Sequence, residues 1–424
     1  MPPCGCITVT LATPARPRTT LPNADSQDVL RHRNFLLYFC GRLFSNFSRQ
    51  IVAVAVGWQV YELTNSAFHL GMVGLVQFLP ALLLTFHGGH VADRHERKRI
   101  VQLCQWLEGI AAAYLAWRSF TSSIHVFDIY LASAVFGAAA AYERPAGAAM
   151  LPGLIPKSLL QQATAMAAGS LQVATIGGPA LGGVLFAISP GTTYSVIAAF
   201  WVLAGIFNGS LPTQRAEATN EKTTWRTLFA GAHFVRGNRT IFGTISLDLF
   251  AVLLGGATAL LPIFAKDILH TDAWGLGLLR AAPAAGALVV TYFLARRPLQ
   301  RRVGIRMFQS VIVFGLATIV FGLSREIWLT MCSLVVMGAA DQVSVVIRLS
   351  LVQLATPDEM RGRVSAINFL FVNASNQLGE FESGVTAAWW GAVNATIVGG
   401  VGSVLIALLW MRLFPTLRNV EKLS

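Results

Sequence analysis

Beyond residue 30 the chain is a succession of about twelve apolar segments, each near 20 residues, separated by mostly short polar connections. No other feature constrains the fold as strongly. Roughly 20 helical residues cover the hydrocarbon of a bilayer. Inside that hydrocarbon every backbone N–H and C=O needs a partner within the protein, and a helix satisfies its own. The predicted spans are 35–62, 70–92, 99–118, 125–144, 160–187, 192–211, 240–265, 273–295, 305–323, 327–350, 363–388 and 392–414. Composition agrees, with 54% hydrophobic residues and 12% charged, against about 25% charged in soluble domains. The expected class is an all-α membrane protein with twelve transmembrane helices.

Loop charge then sets the orientation. The connections after spans two, four, six, eight and ten carry Arg94, Arg97, Lys98 and Arg99; Lys157; Arg215, Lys222, Arg226, Arg236 and Arg239; Arg296, Arg297, Arg301, Arg302 and Arg306; and Arg361. The intervening connections offer only Arg118, Lys266 and Arg325. Positive residues stay on the cytoplasmic side, so both termini are expected there. This distribution also accounts for the net charge of +12 without nucleic acid, because the basic residues form loop clusters and no single patch. The stretch 212–239 is the one long polar break, and it divides six spans from six. The expected organisation is a polar cytosolic tail at 1–30, a six-helix bundle at 31–211, a linker at 212–239, a second bundle at 240–414 and a short tail at 415–424. The five cysteines show no metal or redox spacing, and no cofactor is expected.

One loop stands out chemically. Gly89-x-x-x-Asp93-Arg94-x-x-Arg97-Lys98 sets an acid among bases at a membrane surface, and an acid serves no purpose in topology. It reads as a cytoplasmic gate in which Asp93 pairs with Arg361 or Arg363 of the second bundle, or with a helix end, in one conformation and releases it in the other. In span five, Gly178, Pro179, Gly182 and Gly183 remove side chains and one backbone donor, which suits bending or close packing during a rocking motion.

These features resemble the major facilitator superfamily, over nearly the whole chain from about 34 to 414. The 89–98 loop looks like the superfamily's loop 2–3 signature, with Glu96 in place of a usual glycine. Ala174-x-x-x-Gly178-Pro179-x-x-Gly182-Gly183 looks like the exporter-associated signature, with Ala174 in place of its first glycine. Trp58-x-Val60-Tyr61-x-Leu63-Thr64-x-Ser66-Ala67, Pro145-Ala146, Leu260-Leu261-Pro262 and 357–363 are similar to the enterobactin-exporter and macrolide-efflux branch. The resemblance implies two six-helix bundles and export by alternating access. No antiporter-type arginine signature is read within 125–144, so a standard antiporter proton relay is not expected there.

Charged groups inside spans are costly unless paired or wetted, so they mark the substrate or proton pathway. Arg42 and Arg49 on span one share a face, as do Asp341 and Arg348 on span ten. Asp248 lies on span seven. Arg280 is expected to pair with Glu380 or Glu382 on span eleven, where Asn373, Asn376 and Glu380 form a polar stripe. Glu108 on span three has no role assigned from the sequence; Arg42 and Arg49 are the basic groups it could meet, and the sequence does not show that it does. Trp58, Tyr61, Trp389 and Trp390 are expected to be interfacial anchors. No nucleophile elbow, HExxH or phosphate loop is present, so an enzyme is not expected. The expected function is proton-coupled export of a small amphipathic compound, siderophore or drug-like, by a monomer in a bacterial inner membrane. The competing readings are an importer or facilitator of a nutrient or anion, bound by Arg42 and Arg49, and a non-transporting membrane sensor.

Overall fold

The computed structural model describes residues 29–213, 233–297 and 301–421. Those residues are helical almost throughout. In chain order the long helices are α1 (Arg33–Thr64), α2 (Ala67–Arg94), α3 (Arg97–Phe120), α4 (Val126–Met150), α5 (Leu160–Ile188) and α6 (Pro190–Gly209). The second half holds α7 (Arg239–Leu254), α8 (Ala273–Arg296), α9 (Val303–Leu323), α10 (Ile327–Leu354), α11 (Asp358–Trp390) and α12 (Ala392–Leu413). Past a break at Gly255 and Gly256, α7 continues through a 3-10 turn at Ala257–Leu260, a short helix at Leu261–Ile263 and one π turn at Phe264–Ile268. Gly256 lies hard against the backbone of Gly379 on α11, an approach that admits no side chain.

Nine of the described helices are long and apolar enough to cross a membrane. The three that fall short by composition are α1, α3 and α11, which carry Arg42 and Arg49, Glu108, and Glu380 and Glu382. Large apolar side chains cover the periphery, with Leu83 and Trp328 each 74% and Phe127 77% exposed, as lipid contact requires.

Packing repeats between the halves. In the first, α1 packs on α5 and α6, α2 on α4, and α3 on α4 and α6. In the second, α7 packs on α11 and α12, α8 on α10, and α9 on α10 and α12. The two halves meet along α2 with α11 and α5 with α8, so the seam obeys the same rule. The expected linker lies mostly at 214–232, outside the described residues, as does nearly all of the 1–30 tail.

The hydrophobic cores show how the halves are joined. One core draws on both, running from Ile51, Ala112, Phe136 and Trp201 to Leu260, Phe264, Leu276 and Phe321. It occupies the face that bears the α1–α2 turn. Towards the opposite face, which bears the basic 93–99 loop, the buried residues separate into one core in the first half and two in the second. None of those three is shared across the seam.

Candidate transport site

In the first half the polar groups converge on Glu143 of α4. Its carboxylate forms an ion pair with Arg49 of α1 and accepts hydrogen bonds from Ser45 at 3.2 Å and from Gln105 of α3 at 2.9 Å. Asn208 of α6 extends the chain by donating to Gln105 at 3.0 Å. Glu108 stands 3.7 Å from Arg49, with a side chain only 1% exposed. Arg42, two turns earlier on α1, approaches the Tyr38 ring at 6.0 Å and makes no ion pair among the described residues. Beside this cluster Arg144 crosses the seam and donates to Asn373 of α11 at 2.8 Å.

The second half repeats the arrangement with its polarity reversed. Arg348 of α10 forms an ion pair with Asp248 of α7, donates through Nε to the Ser344 carbonyl at 3.4 Å, and lies 3.9 Å from Asp341. Thus each half ties its first helix to its fourth through a guanidinium and a carboxylate. The arginine is on the first helix in one half and on the fourth in the other. A second acid completes each set. Glu108 is sealed in the bundle, whereas the Asp341 side chain is 45% exposed. It opens on a cavity of about 340 Å³ lined by α7, α10 and α11, among them Asp248, Arg348, Asn368, Phe369 and Asn376. The lining reaches Gln353 and Ser365, near the basic-face ends of α10 and α11.

Glycines govern the seam on the α1–α2 face. A Cβ on Gly384 of α11 would lie 2.6 Å from the Gly71 Cα of α2, and one on Gly183 of α5 would lie 2.8 Å from the Trp274 Cα of α8. Gly178 and Gly182 instead press on Gln50 and Ile51 of α1, while Gly277 abuts the Pro179 carbonyl. The α5 helix runs unbroken through Pro179. At the rim the Tyr61 hydroxyl donates to Asp267, Lys266 donates to Asn65 at 3.2 Å, and the Lys266 ammonium stands 5.4 Å from the Tyr61 ring centroid. Tyr61 is therefore a cross-seam contact and not only an anchor. Trp389 and Trp390 are exposed at the end of α11, where anchors belong.

The basic-face loop makes its contacts within its own half. Arg97 donates to the Ala149 carbonyl at 2.9 Å and Lys98 to the Leu211 carbonyl at 2.8 Å. Asp93 and Arg94 are exposed, and Asp93 makes no ion pair with any described residue. The expected contact to Arg361 or Arg363 is thus not made in this structure, because the halves share no core at this face. Arg363 instead lies 3.6 Å from the Met360 sulfur. The close-approach glycine is Gly88, pressed on Ala141, while a side chain at Gly89 would meet nothing within 4 Å.

Two further expectations change. Arg280 forms no direct pair with Glu380 or Glu382 among the described residues. Glu380 leans over Gly74 of α2, where a Cβ would lie 3.0 Å from its Oε2, and Arg280 acts on it only through its field. Glu382, two residues on, faces away from Glu380 around the helix. Span four also runs on to Met150, so Glu143 and Arg144 are intrahelical charges. Both already lie inside the expected span 125–144, but neither is singled out among its charged groups.

A family model described as transmembrane secretion effector matches residues 26–423. The chain belongs to that family. Among the relatives of this chain is the enterobactin exporter EntS of Citrobacter koseri, 27% identical over 396 residues, covering 92% of this chain and 94% of that protein. EntS of Escherichia coli K12 is 25% identical with the same coverage. In architecture the chain is similar to the nucleoside transporter NupG, with a TM-score of 0.70, 15% identity, and coverage of 90% and 99% of the two chains. It is also similar to a bacterial homologue of the iron transporter ferroportin, with a TM-score of 0.68, 17% identity, and coverage of 91% and 99%. The fold is that of the major facilitator transporters, and the chain is an integral membrane transporter of that type.

Proposed function

We propose that this transporter exports a small amphipathic compound across a bacterial inner membrane by alternating access, coupled to the proton gradient, with both termini cytoplasmic. The observation that carries the reading is the division of the cores, fused on the α1–α2 face and separate on the basic face. Two bodies joined along one face and free along the other can rock about the seam. Polar groups line the open side. The named relatives are exporters, which supports the direction. Asp341, in the cavity, and Glu380, in the α2–α11 seam, are the acids placed to exchange protons as the seam opens and closes.

The anion-facilitator reading requires Arg42 and Arg49 as two available cations. Arg49 is held by Glu143 and Glu108, which leaves Arg42 alone. The test is uptake into everted vesicles of a panel of siderophores and amphipathic drugs, with and without a protonophore. Gradient-dependent accumulation that the protonophore abolishes supports the reading, and accumulation indifferent to it removes proton coupling.

A further inference from the structure

We infer that the cavity between α7, α10 and α11 is a binding site for an organic cation, with the Asp341 carboxylate as its counter-ion. The inference rests on the transport reading and narrows its substrate class. Three charged side chains line the cavity: Asp248, Asp341 and Arg348. Arg348 directs its guanidinium to Asp248 and the Ser344 carbonyl, and stands off at 3.9 Å from Asp341. No described side chain or backbone group donates a hydrogen bond to Asp341. The wall therefore carries one excess negative charge, on a carboxylate 45% exposed to the cavity.

The mirror set in the first half sharpens the point. There too one arginine faces two acids, but the second acid, Glu108, has a side chain only 1% exposed. If the third charge served packing alone, both halves would bury it. The cation that the first half sends across the seam, Arg144, is already engaged with Asn373. The rest of the lining suits an apolar body with a positive head. Val252, Val345, Leu349, Val352 and Val372 supply aliphatic surface, and the exposed Phe369 adds an aromatic ring, a group that attracts cations. A cavity of about 340 Å³ matches a small drug-sized ligand.

The probes are tetraphenylphosphonium and tetraphenylborate, ions of matched shape and opposite charge, measured for equilibrium binding to the purified full-length protein. Tetraphenylphosphonium should bind with at least about tenfold preference, Asp341→Asn should lose about tenfold in affinity for it, and Asp341→Glu should keep most of it. Equal binding of both ions by the wild type, or tighter binding of the borate, overturns the inference. So does wild-type phosphonium affinity in a monodisperse Asp341→Asn protein. Should Asp341→Asn fail to fold, the ion pair of probes and Asp341→Glu still decide. Asp341-dependent binding without flux in proteoliposomes under any gradient would defeat the transport reading and leave the site standing. Flux of other compounds with no charge preference at this site would do the reverse.

Discussion

The rim contact between Tyr61 and Asp267 joins residues 206 apart in sequence and on opposite halves, so it must break whenever the α1–α2 face opens. Tyr61→Phe removes its hydroxyl and leaves the ring, which is 6% exposed, in place. A hydrogen bond to a charged acceptor contributes about 1.5–3 kcal/mol when shielded. Asp267 is exposed, which moves the value to the low end, near 1–1.5 kcal/mol. Its carboxylate rehydrates when the partner is lost, so no buried group is stranded. The population ratio of closed to open at that face should then fall about tenfold. The check is a distance distribution between spin labels at exposed Leu63 and His270 in a cysteine-free background, which should gain a longer component in Tyr61→Phe. Asp267→Asn should give a smaller gain, since an amide oxygen still accepts from the hydroxyl. Unchanged distributions in both variants, alongside unchanged transport, would refute the claim that this contact holds the face shut.

Glu143→Ala should lower stability by about 3–5 kcal/mol, seen as a drop in melting temperature in detergent, because Arg49, Ser45 and Gln105 lose their common acceptor together. Glu143→Gln, which keeps an acceptor, should lose less; equal losses would mean that hydrogen bonding is not what the carboxylate supplies. Gly384→Val should fold yet lose transport, because its Cβ would fall 2.6 Å from the Gly71 Cα and prop the seam open. Retained flux and a retained short rim distance would contradict that. Asp93→Lys should abolish transport without altering the rim distances of this state, and Arg361→Asp or Arg363→Asp in the same chain should restore part of it. Full transport by Asp93→Lys alone would end the gate reading of that loop.

The class of fold was legible in the sequence because hydrocarbon permits few answers to a chain of long apolar runs. Most of the inward-facing charges were legible for the same reason, since an ionised group on a lipid face is so disfavoured. Partners were harder. Asp341 and Arg348 lie seven apart on one helix, so spacing alone put them on a common face, but Asp248 reaches Arg348 only through the packing of α7 beside α10. Glu143 and Arg144 lie inside the expected span 125–144, but their partners Arg49 and Asn373 sit on other helices, and nothing local in the sequence points to them. Tyr61 was read as an anchor because its surroundings in sequence are those of a membrane interface, and nothing local points to Asp267. The contact of Asp93 belongs to a conformation, and periodicity carries no information about which conformation is populated.

The reversed polarity of the two buried pairs bears on what each half can do. As a pin between first and fourth helices, Arg49 with Glu143 and Asp248 with Arg348 are equivalent, because attraction does not depend on which helix holds the positive group. Either pairing lets its half rock as a rigid body. Position of the leftover acid is another matter. With the arginine on α1, the second acid comes from α3 and is buried, its side chain only 1% exposed. With the arginine on α10, the second acid sits two turns earlier on the same helix and is left on the cavity wall. One half therefore spends its surplus charge on its own interior, and the other presents it to whatever enters. If the transporter discriminates substrates by charge, swapping Asp341→Asn should change that discrimination, whereas Glu108→Gln should change stability and leave the preference between matched cation and anion as it was.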